Sequence, residues 1–142
     1  MINSMENVLA DTYALYLKAQ NYHWNITGPN FRDYHILLQD TYEALALAVD
    51  EIAEQIRIIG RSVPATFDFM KSKTCLKDAD CNLAAKAMME DLLSSHQQVL
   101  KTIEKSIEEA RKANDVGTED LLIERVRYHT KAIWFLQSTT QA

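Results

Sequence analysis

Imidazole, amide and carboxylate side chains recur between positions 23 and 54 at spacings that suit a metal site. Asp50 and Glu54 are four positions apart, so on a helix both carboxylates reach the same ion. Like charges at this spacing repel each other unless a cation lies between them. Mixed sets of imidazole and carboxylate suit redox-active iron, and also manganese and zinc. The candidates that share one side of a predicted helix are His35, Gln39, Asp50 and Glu54.

A simpler alternative is that Asp50 and Glu54 form the solvated edge of a surface helix and pair with Arg57. Unpaired carboxylates next to apolar surfaces are costly, and this helix carries an apolar surface on each side of the two acids. The second of these surfaces contains Ile36, Leu47 and Ile58. The pattern therefore favours a bound cation over a solvated edge.

The spacing along the helix indicates that two chains share the site. His35 and Asp50 are fifteen positions apart, which is about 22 Å at 1.5 Å per residue. Because metal–ligand bonds are about 2 Å long, these residues cannot bind one ion within one chain. An antiparallel second copy would bring His35 of one chain close to Asp50 and Glu54 of the other, giving two equivalent sites about a two-fold axis. His23 would add a ligand next to His35.

Helical periodicity accounts for most of the chain and predicts the elements that position these residues. Apolar stripes predict four long helices, over positions 5–22, 31–60, 83–112 and from Thr118 onward. Asn30 and Thr118 are predicted N-caps, and Gly60 is a predicted stop. Positions 61–81 predict a crossover connection with one short helix at 66–70. The result is an all-α, ferritin-like four-helix bundle, with residues 1–142 as a single domain.

The composition limits the classes of function. The chain has 142 residues, 47% apolar and 25% charged, with a net charge of -5, which indicates a globular protein and disfavours a dedicated nucleic-acid binder. No apolar run approaches the ~20 residues of a membrane span, and the first residues do not form a signal peptide. We therefore expect a cytoplasmic protein without membrane association. Cys75 and Cys81 are expected to be reduced thiols, with a regulatory disulfide or a metal-binding pair as the alternative.

Three motifs together resemble the Dps family, the dodecameric mini-ferritins. They are His23-Trp24-Asn25-x-x-Gly28, Phe31-x-x-x-His35 and Asp50-x-x-Ala53-Glu54, the last on a helix that ends at Gly60. The resemblance extends over nearly the whole chain, through Thr118-x-Asp120-Leu121 and Trp134. It implies a hollow shell of twelve subunits that oxidises ferrous iron, stores ferric mineral and protects the cell against oxidative stress. Hydrogen peroxide is the implied oxidant, with O2 as the alternative.

The resemblance also assigns roles to residues. His23 and His35 come from one subunit, and Asp50 and Glu54 from its two-fold mate, with Glu54 bridging the metals. Zinc is a possible substitute for iron at this site. Trp24 lies near the site as an electron donor, the alternative being an ordinary core tryptophan. Acidic residues of the iron-entry pores align with Asp115, Asp120 and Glu124, the alternative being ordinary acids at a helix start.

One position departs from the family pattern. An aspartate is usual four residues after the second histidine, where this chain has Gln39. A neutral amide is a weaker ligand for a hard cation, so we expect a tight first iron and a looser second one, held weakly or through water. Asp40 is rotated by about 100° and is a poor substitute, whereas Glu43 lies on the correct side one turn further on.

The sequence is also compatible with two other functions. A DNA-compacting protein is disfavoured by the acidic charge and by the absence of a Lys/Arg-rich tail, so we expect little or no DNA binding. A structural shell with a decayed or zinc-filled site has Gln39 as its main support. His96 and His129 each lie singly on an apolar stripe and are expected to be core or interface residues rather than ligands.

Overall fold

The structure, a computed structural model, describes residues 1–141, and within that range the regular structure is entirely helical. The helices are α1 (Ile2–Asn25), α2 (Phe31–Ile58), α3 (Phe67–Lys73), α4 (Ala85–Lys112) and α5 (Val116–Thr140). α1 is longer at both ends than its apolar stripe predicted. In the described part of the chain, no helix combines the length and apolar character needed to cross a membrane.

The four long helices form the predicted bundle. α1 packs along α2 and α4, α5 packs along α4, and α5 meets α2 at only a few positions. α2 and α4 therefore lie at diagonally opposite corners of the bundle. The connection between them runs along the length of the bundle. The short helix predicted in this connection forms as α3, which packs against α1. The prediction of a ferritin-like bundle with one long crossover is confirmed.

The core consists of the apolar stripes that the periodicity predicted. Side chains from all four long helices are fully buried in it, among them Leu9, Leu38, Ile52, Val99 and Leu122. Burying each such side chain contributes roughly 1.5–3 kcal/mol, and this stabilises the bundle more than the helical propensity of any one segment. Gly60 follows α2 with φ of +102°, a left-handed conformation that suits glycine and ends the helix as predicted.

Asn30 occupies the N-cap position of α2 as predicted, whereas the predicted N-cap at Thr118 is wrong. Asn30 precedes α2, but its side chain makes no capping hydrogen bond. Asp115 caps α5: its Oδ1 accepts a hydrogen bond from the Thr118 backbone N–H at 3.0 Å. The Thr118 hydroxyl donates a second bond to Asp115 Oδ2 at 2.7 Å. The helix starts earlier than predicted because its first turn includes Gly117, which the sequence pattern placed outside it.

The crossover is attached to α1 through a buried carboxylate. Asp11 Oδ1 accepts hydrogen bonds from the Thr74 hydroxyl at 2.7 Å and from the Cys75 backbone N–H at 2.9 Å. The Cys75 thiol lies 3.4 Å from Asp11 Oδ2. Burial and the nearby Asp11 carboxylate raise the pKa of this thiol, so it is a poor nucleophile. Cys75 and Cys81 are both free and are not joined to each other.

His96 and His129 are fully buried on the stripes of α4 and α5, which confirms the prediction that they are core residues, but they are also in contact with each other. Their Nδ1 atoms are 2.9 Å apart, within hydrogen-bond distance. A bond between two neutral imidazoles needs one N–H and one bare nitrogen, so the two rings have opposite tautomers. The periodicity of each helix could not predict this pair, because the pair depends on the register between α4 and α5.

Candidate metal centre

The hairpin of α1 and α2 brings His23 and His35 together. His23 is in the last turn of α1, and His35 is just beyond the first turn of α2. Their rings stack with centroids 3.7 Å apart and an interplanar angle of 12°. His23 is buried, whereas His35 is half-buried. The sequence predicted that the two residues would be neighbours, and the structure stacks one imidazole on the other.

Each histidine is oriented by the backbone of the other. Nδ1 of His23 is 2.8 Å from the carbonyl oxygen of His35, and Nδ1 of His35 is 2.8 Å from the carbonyl oxygen of His23. A carbonyl only accepts, so both Nδ1 atoms carry the proton and donate. In the neutral imidazole this leaves each Nε2 with a free lone pair, which is the form that binds a metal ion.

Aromatic side chains enclose the two imidazoles. Phe31 stacks on His35 with centroids 4.9 Å apart, and Tyr42 meets the ring of His23 edge-on at 5.2 Å. These contacts restrict rotation of both rings, and sequence reasoning did not identify them. The sequence feature that could have predicted the contact between Phe31 and His35 is their four-residue spacing, which places them one turn apart on α2. Trp24 follows His23 and is 66% exposed, so within one chain it is a surface residue rather than a core residue.

Asp50 and Glu54 lie toward the other end of α2, and both are exposed. A hydrogen bond to Asp50, together with the negative charge of Asp50, raises the pKa of Glu54. The two carboxylates are therefore close enough to repel each other. This is the behaviour that the four-residue spacing predicted for an acid pair that a cation would stabilise.

One chain holds the predicted ligands as two separate groups. Within residues 1–141, no three His, Cys, Asp or Glu side chains of a single chain come close enough to bind a metal ion together. The two groups are the imidazoles His23 and His35 and the carboxylates Asp50 and Glu54. A complete mixed-ligand site would thus need the two groups to come from different copies of the chain.

Gln39 lies on α2 one turn after His35, and its amide has a defined partner. Gln39 Nε2 donates a hydrogen bond to Glu43 Oε1 at 3.0 Å. Since the amide nitrogen is engaged by Glu43, the amide oxygen of Gln39 remains free to accept or to act as a neutral ligand. The sequence predicts only that Glu43 lies one turn after Gln39 on the same side of the helix. The structure shows that Glu43 orients the Gln39 amide.

The three acids aligned with entry pores lie at or near the start of α5. Asp115 is used as the N-cap, and its hydrogen bonds to Thr118 lower the pKa of its carboxyl. Asp120 and Glu124 are exposed and one turn apart. Only Asp115 lies at the helix N-terminus itself, where negative charge is favourable; Asp120 and Glu124 lie beyond the first turn. A pore role for these residues stays a prediction, because a pore is formed by several chains.

The chain is similar to proteins of known family and fold. The model of the ferritin-like domain family matches residues 2–142. DNA protection during starvation protein 2 of Bacillus anthracis is 29% identical over 97% of this chain and 94% of that protein. The crystal structure of Dps from Staphylococcus aureus has a TM-score of 0.95 and 28% identity, covering 99% of this chain and 95% of that one.

A further similar structure belongs to a protein whose metal chemistry is named. Dps from Vibrio cholerae has a TM-score of 0.93 and 26% identity, covering 99% of this chain and 88% of that one. That protein is described as a member of a broad superfamily of ferritin-like diiron-carboxylate proteins. The similarity extends over nearly the whole of both chains in each of these matches.

Proposed function

Because this chain belongs to the Dps family of ferritin-like proteins, we propose that it is a ferroxidase and iron-storage protein. Ferrous iron is its substrate, and ferric mineral is the stored product. The observation that carries the proposal is the stacked pair His23 and His35, whose Nδ1 atoms are both engaged by carbonyl oxygens. Two fixed imidazoles with free Nε2 atoms are half of a mixed-ligand iron site.

The other half of the proposed site comes from a second copy of the chain. Asp50 and Glu54 of the second copy would face His23 and His35 of the first, with Glu54 bridging two iron ions. The proposed dimer has a two-fold axis, so each interface forms two such sites. Exposed apolar residues of α2 supply surface for this contact; they include Ile36, Leu47 and Ile58, at 46%, 71% and 74% exposure.

The chemistry of the proposed reaction is a two-electron reduction of peroxide. Two ferrous ions lose one electron each, and one molecule of hydrogen peroxide accepts both electrons and two protons to give two molecules of water. Because both electrons are delivered at one site, free hydroxyl radical is not released, and this would protect the cell from oxidative damage. The carboxylates of Asp50 and Glu54 stabilise the added positive charge of the ferric ions. O2 is the alternative oxidant.

The two iron positions are proposed to differ in affinity because of Gln39. Its neutral amide oxygen replaces the aspartate that is usual at this position, which removes one negative charge from the site. The hydrogen bond from Gln39 to Glu43 at 3.0 Å supports an amide whose oxygen is directed away from Glu43. We therefore assign Gln39 as a weak or water-mediated ligand of the second iron, and zinc as a possible substitute for iron.

The proposed assembly is a dodecamer built from two-fold dimers, with mineral stored in its interior. Asp115, Asp120 and Glu124 would line the pores through which ferrous ions enter. We assign to Trp24, which is exposed and follows His23, the supply of an electron when the site holds only one ferrous ion. The proposed location of this assembly is the cytoplasm.

The test is a comparison of the wild type with the variant Asp50→Ala/Glu54→Ala. Ferrous iron is bound anaerobically and measured by calorimetry, and peroxide is then added while ferric absorbance is followed. We expect tight binding and rapid oxidation into a soluble mineral in the wild type, and loss of both in the variant. The matched control is Glu90→Ala/Glu104→Ala, which removes the same charge from exposed positions of α4. Equal rates in the wild type and the Asp50/Glu54 variant would contradict the proposal.

A further inference from the structure

Unpartnered buried polar atoms are concentrated in one part of the bundle. In residues 1–141, six buried side-chain N and O atoms lack a hydrogen-bond partner, and four of them belong to His96, Arg125 and His129. The other two belong to Glu6, whose carboxylate is compensated by Lys73 at 3.7 Å and Arg61 at 3.8 Å. The cluster on α4 and α5 has no such compensation.

Four side chains make up this cluster: His96, Arg125, Tyr128 and His129. The guanidinium carbon of Arg125 lies 4.6 Å from the ring centroid of Tyr128. The Tyr128 ring is in turn 5.1 Å from the ring of His129 and 6.2 Å from that of His96. The unpartnered atoms are Nε and Nη2 of Arg125 and Nε2 of each histidine. They therefore belong to side chains that are neighbours across α4 and α5.

Arg125 brings into this region a positive charge that has no ion-pair partner among the described residues. Its side chain is 7% exposed, and no carboxylate of the described residues forms an ion pair with it. Burial lowers the pKa of Arg125, and the charges of Glu51 and Glu124 act in the opposite direction from outside the cluster. Arginine nevertheless stays protonated in proteins, so the charge persists. A buried charge without a counter-charge is strongly unfavourable.

We propose that the cluster of His96, Arg125, Tyr128 and His129 binds a small monovalent inorganic anion, of the size of a halide or nitrate. A monovalent ion balances the single guanidinium charge. The Nε–H and Nη2–H groups of Arg125 donate to it, and guanidinium donors suit anions well. This site is separate from the iron site and does not depend on the proposed oxidation of iron.

The histidine pair suits an anion better than a cation. One Nδ1 of the pair donates and the other accepts, at 2.9 Å. The ring whose Nδ1 accepts carries its proton on Nε2, so the cluster has an additional N–H donor. Burial and the Arg125 charge lower the pKa of His96, which keeps the pair neutral. A metal cation at the bare nitrogen would meet the charge of Arg125 and would be repelled.

A route to the cluster lies between α2 and α5, where these helices are least closely packed. A cleft of about 230 Å³ opens there, and its lining includes the buried ring of His96 and the half-buried ring of Tyr128. Lys131 of α5 and Asp40 of α2 also line the cleft. The positive charge of Lys131 attracts an anion, whereas the negative charge of Asp40 repels one. A small anion in this cleft would meet His96 and the ring of Tyr128, against which the Arg125 guanidinium packs.

The test measures thermal stability of the assembled protein in different sodium salts at constant ionic strength and protein concentration. Bromide is compared with gluconate, which is too large for a buried site. We expect Tm of the wild type to rise with bromide, by about 4 °C for each tenfold increase above Kd. The variant Arg125→Gln should lose this dependence. The matched control Arg127→Gln, at an exposed position of the same helix, should keep it.

A second measurement uses only the wild type, in case Arg125→Gln fails to fold. Crystals grown in bromide should show one anomalous scattering peak in contact with the Arg125 guanidinium. Equal Tm values in bromide and gluconate, or no anomalous peak at Arg125, would overturn the proposal. A bromide effect of the same size in Arg125→Gln would also overturn it, because the ion would then act elsewhere.

Discussion

His23 and His35 hold each other's imidazole rings in place through their main chains: each Nδ1 donates to the carbonyl oxygen of the other residue, at 2.8 Å in both directions. The stacked rings join the end of α1 to the beginning of α2. The side chains therefore have a structural role, in closing the hairpin, besides their proposed role as ligands. A substitution at either residue has to be evaluated for both effects.

The variant His35→Phe separates these two roles. Phenylalanine retains the stacking on His23 and removes both nitrogen atoms of His35. We expect at least a tenfold loss of ferrous affinity in anaerobic calorimetry, because one proposed ligand is missing. The free energy of unfolding should fall by only about 1 kcal/mol, the typical contribution of one hydrogen bond. The control Tyr34→Phe, next to His35 on α2, should keep wild-type affinity. Unchanged ferrous affinity in His35→Phe would remove His35 from the proposed site.

The substitution Gln39→Asp should tighten the binding of the second ferrous ion. The substitution adds a negative charge and a stronger oxygen ligand for a hard cation, while the first event should change little. The measurement is anaerobic calorimetry with ferrous iron, with cobalt(II) absorption as an independent count of occupied positions. Asp40→Asn is the matched control, because its side chain is rotated by about 100° from Gln39 on the same helix. An identical second event in the wild type and Gln39→Asp would show that Gln39 does not limit that position.

Leu47→Glu should disrupt the proposed two-fold interface. Leu47 is 71% exposed in the single chain, so a charge there does not disturb the bundle, but burying that charge between two copies is costly. We expect a lower molar mass in size-exclusion chromatography with light scattering, and an unchanged helical circular dichroism spectrum. Leu47→Met should assemble normally. If Leu47→Glu has the same mass as the wild type, this face of α2 is not an essential interface.

Acid should destabilise the fold through the buried histidine pair. Burial lowers the pKa of His96 to about 3. The pKa of His129 is also lowered, mainly by burial and to a lesser extent by the charge of His96. The unfolded chain binds these protons near the ordinary pKa of 6.5, whereas the folded chain does not. Stability is therefore complete above pH 6.5 and is lost as pH falls from 6.5 toward 3. Each histidine contributes a slope of up to about 1.4 kcal/mol per pH unit.

Denaturant unfolding between pH 7.5 and pH 5, at fixed protein concentration, measures this slope. The double variant His96→Phe/His129→Leu removes both titrating groups, so its free energy of unfolding should depend less on pH than that of the wild type. His35→Phe, which leaves the buried pair intact, should keep the wild-type slope. A double variant with an undiminished slope would show that other groups cause the acid sensitivity.

DNA should not bind strongly at neutral pH, because the net charge of -5 per chain repels phosphate. The measurement is a gel-shift assay at low salt, where weak electrostatic binding is most easily detected. The variant Glu104→Lys/Glu108→Lys, at exposed positions of α4, should shift the balance toward binding. Retardation of DNA by the wild type under these conditions would overturn the expectation.

Most of the fold could be predicted from the sequence, because the information needed is local. The stripes that contain Leu9, Leu38, Val99 and Leu122 predicted four helices and the faces that they bury. Gly60 predicted the end of α2, and its φ of +102° confirms it. The capping of α5 was predicted less well, since Asp115 and Thr118 are both favourable cap residues and the choice depends on how the first turn packs.

The candidate site was predictable in its residues but not in its contacts. Sequence spacing identified His23, His35, Asp50 and Glu54, and it separated the imidazoles from the carboxylates along α2. The hydrogen bonds that orient the imidazoles were not predictable, because their acceptors are main-chain carbonyl groups, which every residue has. Glu43 was visible as an acid at the correct spacing, but its hydrogen bond to Gln39 depends on the conformations of both side chains.

The sequence by itself therefore determined the helices, the faces that they bury and the candidate ligands on α1 and α2. The reason is that helical periodicity follows from backbone geometry, which is the same for every helix. The tertiary structure alone decided that His23 stacks on His35, and that His96 and His129 form a pair close to Arg125. Contacts between helices depend on the register and rotation of each helix, which are set by the packing of the whole core.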